Sequence, residues 1–255
     1  MSERSFSGRV AVVVGGTRGI GLAVAERFAS SGADVVAVYS RNAEAAEAAR
    51  RAVASQGVRC EALKADIGDR DAIVALFREI GERFGRVDFL VNSAARGLER
   101  PRGALDSLPK HLRHTLEVNV LGPWFCAQEA ARLMNGDGAI VNVLSPGAHR
   151  YLPRYAPVGV SKGALESLTR YLAVELAPRG IRVNGVSAGL VEGTDGVRML
   201  PPALVEAYRS RIPAGRQVTP ADVANAVAFL CSEDARMIIG QVLLVDGGYS
   251  LLGLV

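Results

Sequence analysis

Tyr155 and Lys162 stand seven residues apart in the segment Tyr-Ala-Pro-Val-Gly-Val-Ser-Lys. In a helix that spacing is nearly two turns, so the phenol and the ammonium share one face. A cation near a phenol favours the phenolate, and such a pair can deliver and recover a proton near neutral pH. Ser145 lies upstream at the end of a β-branched run, and Tyr151 and His149 are alternative acids in the same stretch. What accompanies the proton is written near the N-terminus. Val10-Ala-Val-Val-Val-Gly15-Gly-Thr-Arg-Gly19-Ile-Gly21 reads as a strand, a glycine turn and a helix opening. Glycines there allow positive φ and let the backbone approach a pyrophosphate, where unpaired N–H groups and the helix dipole attract anions. The combined chemistry is a dinucleotide-dependent reduction.

A third group is Asn119, in Glu117-Val-Asn-Val-Leu-Gly-Pro123. Asparagine is a poor helix former, and Pro123 has no N–H to give the Asn119 carbonyl. That carbonyl is then free to hold a water. The plainer alternative is a proline-kinked helix with a surface asparagine.

The elements that must position these groups alternate along the chain. Short β-branched runs cover 9–14, 34–38, 58–64, 87–91, 139–144, 182–187 and 241–245, and helix-length amphipathic stretches cover 19–31, 42–56, 69–84, 112–134, 158–177 and 220–231. Nearly continuous Val, Ile and Ala means strands buried on both faces, hence a parallel sheet with helices on each side. Asp69 and Thr219 read as N-caps, with Pro220 at a first helical position. The expectation is one α/β domain over residues 1–255, a doubly wound Rossmann fold of about seven strands. Its ligands belong at the carboxyl ends of the strands. The loop-rich segment 193–216 reads as a lid, with Val197–Val205 as the wall of an acyl pocket.

Composition narrows the class. At 255 residues and 49% hydrophobic, the chain can bury a core without staples, and Cys60, Cys126 and Cys231 form no Cys-x-x-Cys pair, as expected of thiols in a reducing cytoplasm. No run reaches the roughly 18 apolar residues of a membrane span, so membrane association is not expected. The charge of +4 is modest. Arg96, Arg100 and Arg102, then Arg209, Arg211 and Arg216, cluster without interleaved aromatics, which argues against nucleic acid. They are a solvated face or a landing site for an anionic substrate handle. His111 and His114 have no ligand partners in view, so no metal is expected.

The spacing Gly-x-x-x-Gly-x-Gly resembles the short-chain dehydrogenase/reductase superfamily, and the likeness runs on through Ala65-Asp66-Ile67, Asn92-Ser-Ala-Ala95, Asn119, Ser145, Lys162 and Val245-Asp-Gly-Gly248. It implies cofactor contacts from Gly15, Thr17, Arg18, Gly19, Ile20 and Gly21, then from Asp66 and Ile67, Asn92 and Ala94, Lys162, and finally Leu190, Val191 and Thr194. It also implies that Lys162 bonds the nicotinamide ribose and lowers the tyrosine's pKa, with the backbone of Asn119 holding a relay water. The residue four before Lys162, where ordinary members carry tyrosine, is Val158, thirteen after Ser145. The Tyr-x6-Lys arrangement instead resembles the Bacillus-type (type III) enoyl-acyl carrier protein reductases. Two departures stand out: Ala188-Gly189 replaces the usual Pro-Gly, and Gly193 pushes Thr194 one position late.

Cofactor choice follows from charge. The end of the second strand, Val38-Tyr39-Ser40-Arg41, has no carboxylate, so Ser40, Arg41 and Arg18 would suit the 2′-phosphate of NADPH. The resemblance implies an NADPH-dependent enoyl thioester reductase, a cytoplasmic homotetramer whose acyl substrate arrives on acyl carrier protein or coenzyme A. A ketoreductase and a non-catalytic NADP-binding regulator stay open beside it.

Overall fold

The computed structural model describes residues 5–98 and 102–252. Arg100 of the first arginine cluster and the last residues of the apolar stretch Leu251–Val255 lie outside the described residues.

Seven parallel strands form one sheet in the order β3-β2-β1-β4-β5-β6-β7. They are β1 (Val10–Val14), β2 (Asp34–Tyr39), β3 (Cys60–Lys64), β4 (Phe89–Asn92), β5 (Gly138–Leu144), β6 (Ile181–Ala188) and β7 (Val242–Val245). The helices between them are α1 (Gly19–Ser30), α2 (Ala43–Ala54), α3 (Arg70–Phe84), α4 (Pro109–Leu116), α5 (Gly122–Leu133), α6 (Ala156–Leu176), α7 (Asp195–Arg198), α8 (Pro202–Arg209) and α9 (Pro220–Cys231). Strand order reverses between β1 and β4, which opens a crevice at their carboxyl ends. The glycine turn leaves β1 there, and Asn92–Ala95 leaves β4.

The sheet is buried because its side chains serve both faces. Val10, Val12 and Val14 of β1 pack with α3, α5 and α6, while Ala11 and Val13 pack with α1 and α9. All residues of β5 and β6 are buried. Phe6, Phe28 and Phe89 close the second layer at ring separations of 4.8–5.4 Å. Cys60, Cys126 and Cys231 are buried free thiols, and burial pushes each upward, Cys60 to about 11 and the other two to about 12. Among the described residues, no helix is long and apolar enough to cross a membrane and no His/Cys/Asp/Glu group could hold a metal.

Helix ends follow local chemistry. Asp69 accepts from the Asp71 and Ala72 amides, and Thr219 forms a reciprocal box with Asp222 behind Pro220. The helix expected over 112–134 is present from Pro109 to Leu133, but its register changes within it: a π-helical turn at Glu117–Leu121 joins α4 to α5. The missing N–H of Pro123 forbids one i+4 bond, and the Gly122 amide reaches back five residues to the Glu117 carbonyl. α6 begins at Ala156, with Pro157 in its first turn and Tyr155 just before it, as a proline suited to a first helical turn requires. The lid segment also holds two short helices, α7 and α8.

One buried charge fastens the second helical layer to the sheet. Arg182 of β6 donates to the carbonyls of Leu230 (2.7 Å), Cys231 (3.2 Å) and Ala235 (3.3 Å) at the end of α9. Arg182→Met leaves these acceptors without their donor, and a loss of about 2–4 kcal/mol is expected in urea unfolding. A change under about 0.5 kcal/mol would show that water replaces the guanidinium at no cost.

Candidate active site

The phenol is seated by two glycines and a serine. Tyr155 is the N-cap of α6, and its hydroxyl donates to Ser145 Oγ at 3.3 Å. A Cβ on Gly147 would come within 2.7 Å of the Tyr155 ring, and one on Gly159 within 2.9 Å of the Gly147 carbonyl. Both positions must be bare for the ring to lie against the turn after β5. Val158 is buried in the protein at 2% exposure, so the side chain thirteen residues after Ser145 takes no part in the polar site. Of the alternative acids, Tyr151 is 87% exposed. His149 pairs through Nε2 with Glu166 Oε2 at 2.5 Å, and Glu166 also binds Arg170. His114 pairs with Glu117, and His111 accepts the Leu108 amide at the start of α4.

Lys162 lies buried on α6, and its Nζ donates to the Val143 carbonyl of β5 at 2.6 Å. Burial holds its ammonium down at about 8. The Tyr155 phenol moves upward because burial outweighs the opposing effect of its hydrogen bond with Ser145. The expected lowering of the phenol by Lys162 is therefore not the dominant effect; desolvation is.

Asn119 is fully buried, which removes the surface-asparagine alternative. Its Oδ1 accepts the Arg96 amide at 2.8 Å, and its Nδ2 donates to the Arg96 carbonyl and to Ser161 Oγ, each at 3.0 Å. Ser161 donates onward to the Val158 carbonyl at 2.7 Å. One amide thus joins the loop after β4, the π turn and the residue beside Lys162. A parallel chain runs deeper, where Asn92 donates to Asn142 and Asn142 to Thr169 at 2.8 and 2.9 Å.

The glycine turn fits a dinucleotide. A Cβ on Gly21 would collide with the Gly15 carbonyl, and one on Gly15 would meet Ala94 backbone at 2.9 Å. Gly15 and Gly19 adopt φ of +80° and +54°. The N-cap of α1, Arg18, offers no side-chain cap, and the first turn holds no acid, so its amides suit a pyrophosphate. Thr17 and Ile20 line the same turn, Ile20 resting on the core. Ile67 is buried beneath Gly122, and Asp66 accepts the Gly68 amide at 2.9 Å. Ser40 and Arg41 are exposed at the end of β2.

Two features were not legible beforehand. Arg18 reaches the lid, donating to Asp195 Oδ2 at 2.6 Å. Tyr208 of α8 accepts the Leu190 amide at 3.3 Å, and its hydroxyl lies where any Cβ on Gly189 would sit. Leu190 also receives Gln217, Val191 bridges Val218, and Thr194 donates to the Val191 carbonyl at 2.7 Å. Despite the extra Gly193, Thr194 faces the glycine turn, its methyl 3.8 Å from a Cβ placed on Gly19.

Two outcomes follow from this geometry. Gly147→Ala displaces the Tyr155 ring and should lower kcat at least tenfold while leaving dinucleotide affinity, read by fluorescence titration, unchanged; equal losses in both would mean general disruption. For Lys162, the folded value of about 8 lies below the ordinary 10.5, so the folded protein binds fewer protons between the two. Stability therefore rises with pH across that window. Without added cofactor, the protein should gain about 3 kcal/mol over Lys162→Met between pH 8 and 10.5, by urea unfolding. A flat difference would refute the buried neutral amine.

The chain matches the family model described as enoyl-(acyl carrier protein) reductase over residues 14–250. It is 37% identical over 249 residues to the 1-cyclohexenylcarbonyl-CoA reductase of Streptomyces collinus, covering 96% of this chain and 88% of that one. It is also 37% identical to the cis-4-hydroxycyclohexanecarboxylate dehydrogenase of Sinomonas cyclohexanicum, covering 96% and 98%. A solved short-chain dehydrogenase from Burkholderia cenocepacia, in complex with NADP, superposes with a TM-score of 0.90 at 36% identity, over 96% of this chain and 99% of that one. On coverage of that extent the chain belongs to this family, and with it to the short-chain dehydrogenase/reductase superfamily of nicotinamide-dependent oxidoreductases.

Proposed function

We propose that the protein is an NADPH-dependent reductase of a carbon–carbon double bond conjugated to a thioester. The observation that carries this reading is that the phenol meeting Ser145 belongs to Tyr155, seven residues before Lys162, while Val158 is sealed in the interior. A ketone needs its proton on the oxygen of the carbon that takes hydride. An enoyl thioester takes hydride at Cβ, and charge appears on the thioester oxygen three bonds away. A tyrosine set back toward the start of α6 suits the longer reach.

When bound, the nicotinamide supplies the hydride. The chain's own groups do the rest. Tyr155 donates a hydrogen bond or proton to the developing enolate oxygen, and Ser145, 3.3 Å from it, holds the thioester carbonyl in register. Lys162, with its amine near 8, is poised to exchange a proton near neutral pH, and Asn119 fixes the turn whose carbonyl would hold the relay water. NADPH is supported by Ser40 and Arg41 at a strand end without a carboxylate, and by the NADP held by the Burkholderia relative.

The acyl group we favour is alicyclic, because two of the relatives, each 37% identical, act by name on six-membered-ring carboxyl compounds. Its carrier is coenzyme A or acyl carrier protein. Arg102 supports an oxygen-rich handle near the site: its backbone pairs with Tyr155, and its Nε is buried without a hydrogen-bond partner. Trp124, Tyr171 and Val174, 42–73% exposed on α5 and α6, support assembly as a homotetramer. A cytoplasmic location remains part of the proposal. The second reading, carbonyl reduction, is favoured by the Ser145–Tyr155 hydrogen bond itself and by the relative named as a hydroxy-acid dehydrogenase.

The test supplies NADPH with cyclohexenylcarbonyl and 2-enoyl thioesters, and separately with 3-oxoacyl thioesters, and identifies products by mass. A saturated acyl product is expected, and Tyr155→Phe should lower its rate about 100-fold or more. A hydroxyacyl product with the enoyl substrates untouched would assign carbonyl reduction instead. NADPH bound but never oxidised would make the protein a regulator. Arg102→Gln should raise KM for the thioester severalfold at constant kcat; an unchanged KM removes Arg102 from the substrate path.

A further inference from the structure

Tyr208 lies on α8, a helix that buries no residue completely, yet its side chain is half-buried and its hydroxyl is docked on main chain. That oxygen accepts the Leu190 amide at 3.3 Å just beyond β6, while Gln217 Nε2 donates to the Leu190 carbonyl at 3.0 Å. Both backbone groups of one residue are thus held by side chains from the segment 193–216 and from just beyond it. A Cβ on Gly189 would overlap the hydroxyl, so the seat exists only because Gly189 is bare. Gly189 lies outside the left-handed region, so its backbone conformation does not itself demand glycine. Burial pushes the Tyr208 phenol upward, so the docked group is a neutral hydroxyl. Its ring rests 4.1 Å from that of Tyr249 in the turn after β7. Asp246, itself buried, holds that turn by accepting the Gly248 and Ser250 amides at 2.9 and 2.7 Å. Arg150, shortly after Ser145, donates to the Ser250 carbonyl. Upstream, a Cβ on Gly196 of α7 would stand 3.7 Å from Leu98 of the loop after β4, so the segment spans the strand ends from β4 to β6.

We propose that Tyr208 is a positioning residue for the acyl site: its hydroxyl, seated on Gly189 and Leu190, registers α8 against the strand ends and so sets the wall that the acyl group meets. The inference deepens the acyl-thioester reading above and rests on it. Tyr208 acts through the backbone after β6 and through Tyr249, not by touching the reacting atoms. A wall moved off its seat loses contacts that the acyl group makes equally in ground and transition states, so the effect belongs in KM and not in kcat.

The experiment is a double-variant cycle at these two positions, assayed with NADPH and the acyl thioester that the parent reduces. Gly189→Ala drives the hydroxyl off its seat and should raise KM for the thioester about tenfold, with kcat within about twofold. Tyr208→Phe keeps the ring on Tyr249 but loses one hydrogen bond, and should raise KM about two- to fivefold. Without the hydroxyl, a Cβ at 189 meets the ring carbon Cζ at 3.5 Å, an ordinary contact, and Asp246 Cβ at 3.2 Å as before. The double variant should therefore recover most of the loss, with KM no more than about twice that of Tyr208→Phe. Gly189→Ala raising KM equally in both backgrounds would overturn the assignment. So would Tyr208→Phe weakening NADPH while the thioester KM holds, because Tyr208 would then serve the dinucleotide. A second measurement needs no substrate: exchange of the Leu190 amide, followed by NMR, should quicken about fivefold or more in Tyr208→Phe. Unchanged exchange refutes the docking. Quickened exchange in a protein that reduces no acyl thioester would instead retire the functional reading, and the acyl role with it, while leaving the docking of α8 in place.

Discussion

The site depends on what one buried amide does at a π turn within a helix. Pro123 prevents a regular α register from running through α4 and α5, and the π turn at Glu117–Leu121 that joins them places Asn119 inside the protein with no exposed surface. Its side chain satisfies both backbone groups of Arg96 and the hydroxyl of Ser161. Each bond is worth about 1 kcal/mol net, but an orphaned partner would cost roughly 1–3 kcal/mol, so the three hold as a set. They fix the loop leaving β4, the helix junction and the turn of α6 that carries Lys162. This knot ties the loop beside the cofactor crevice to the helix that carries the proton donors.

The same logic explains how a tyrosine three positions removed from Val158 still finds Ser145. α6 starts early, at Ala156, and Tyr155 precedes it with φ of −118° and ψ of 10°. Arg154, just before, takes a left-handed φ of 58°, which a non-glycine residue adopts only at a cost of about 1–3 kcal/mol. Backbone pairing of Arg102 with Tyr155, and of the Ala156 amide with the Arg102 carbonyl, offsets it. Bare glycines at 147 and 159 admit the ring. Desolvation then acts on both titrating groups in the direction of neutrality, raising the phenol and lowering the ammonium. A neutral donor aimed at a developing oxyanion is what the proposed chemistry requires.

Much of the framework was legible because it is local. The glycine turn, the seven buried strand runs and the caps at Asp69 and Thr219 are each specified by residues within a few positions of one another. Asn119 and Pro123 also carried their signal locally, although a single period over 112–134 concealed the register change between them. The missed features are tertiary. Nothing in Gly147 or Gly159 announces that a ring from Tyr155 must lie there, and nothing near Arg18 predicts an acid 177 residues away. The extra Gly193 argues against Thr194 by counting alone. Its φ of +71° lets the chain turn so that Thr194 still faces Gly19.

The segment 193–216 is anchored unevenly: Ile212, beyond α8, is buried against Gly247, whereas α7 and α8 bury no residue. Met199 and Leu204 are 43% and 52% exposed. α7 and α8 themselves are tied down by Arg18 to Asp195, the Tyr208 hydroxyl at the Leu190 amide with its ring 4.1 Å from that of Tyr249, and the Val191–Val218 bridge that precedes them. A segment held this way opens at far lower free energy than the sheet beneath it. Because Tyr208 touches the backbone after β6 and Asp195 touches the turn after β1, the two ties grip opposite sides of the switch point.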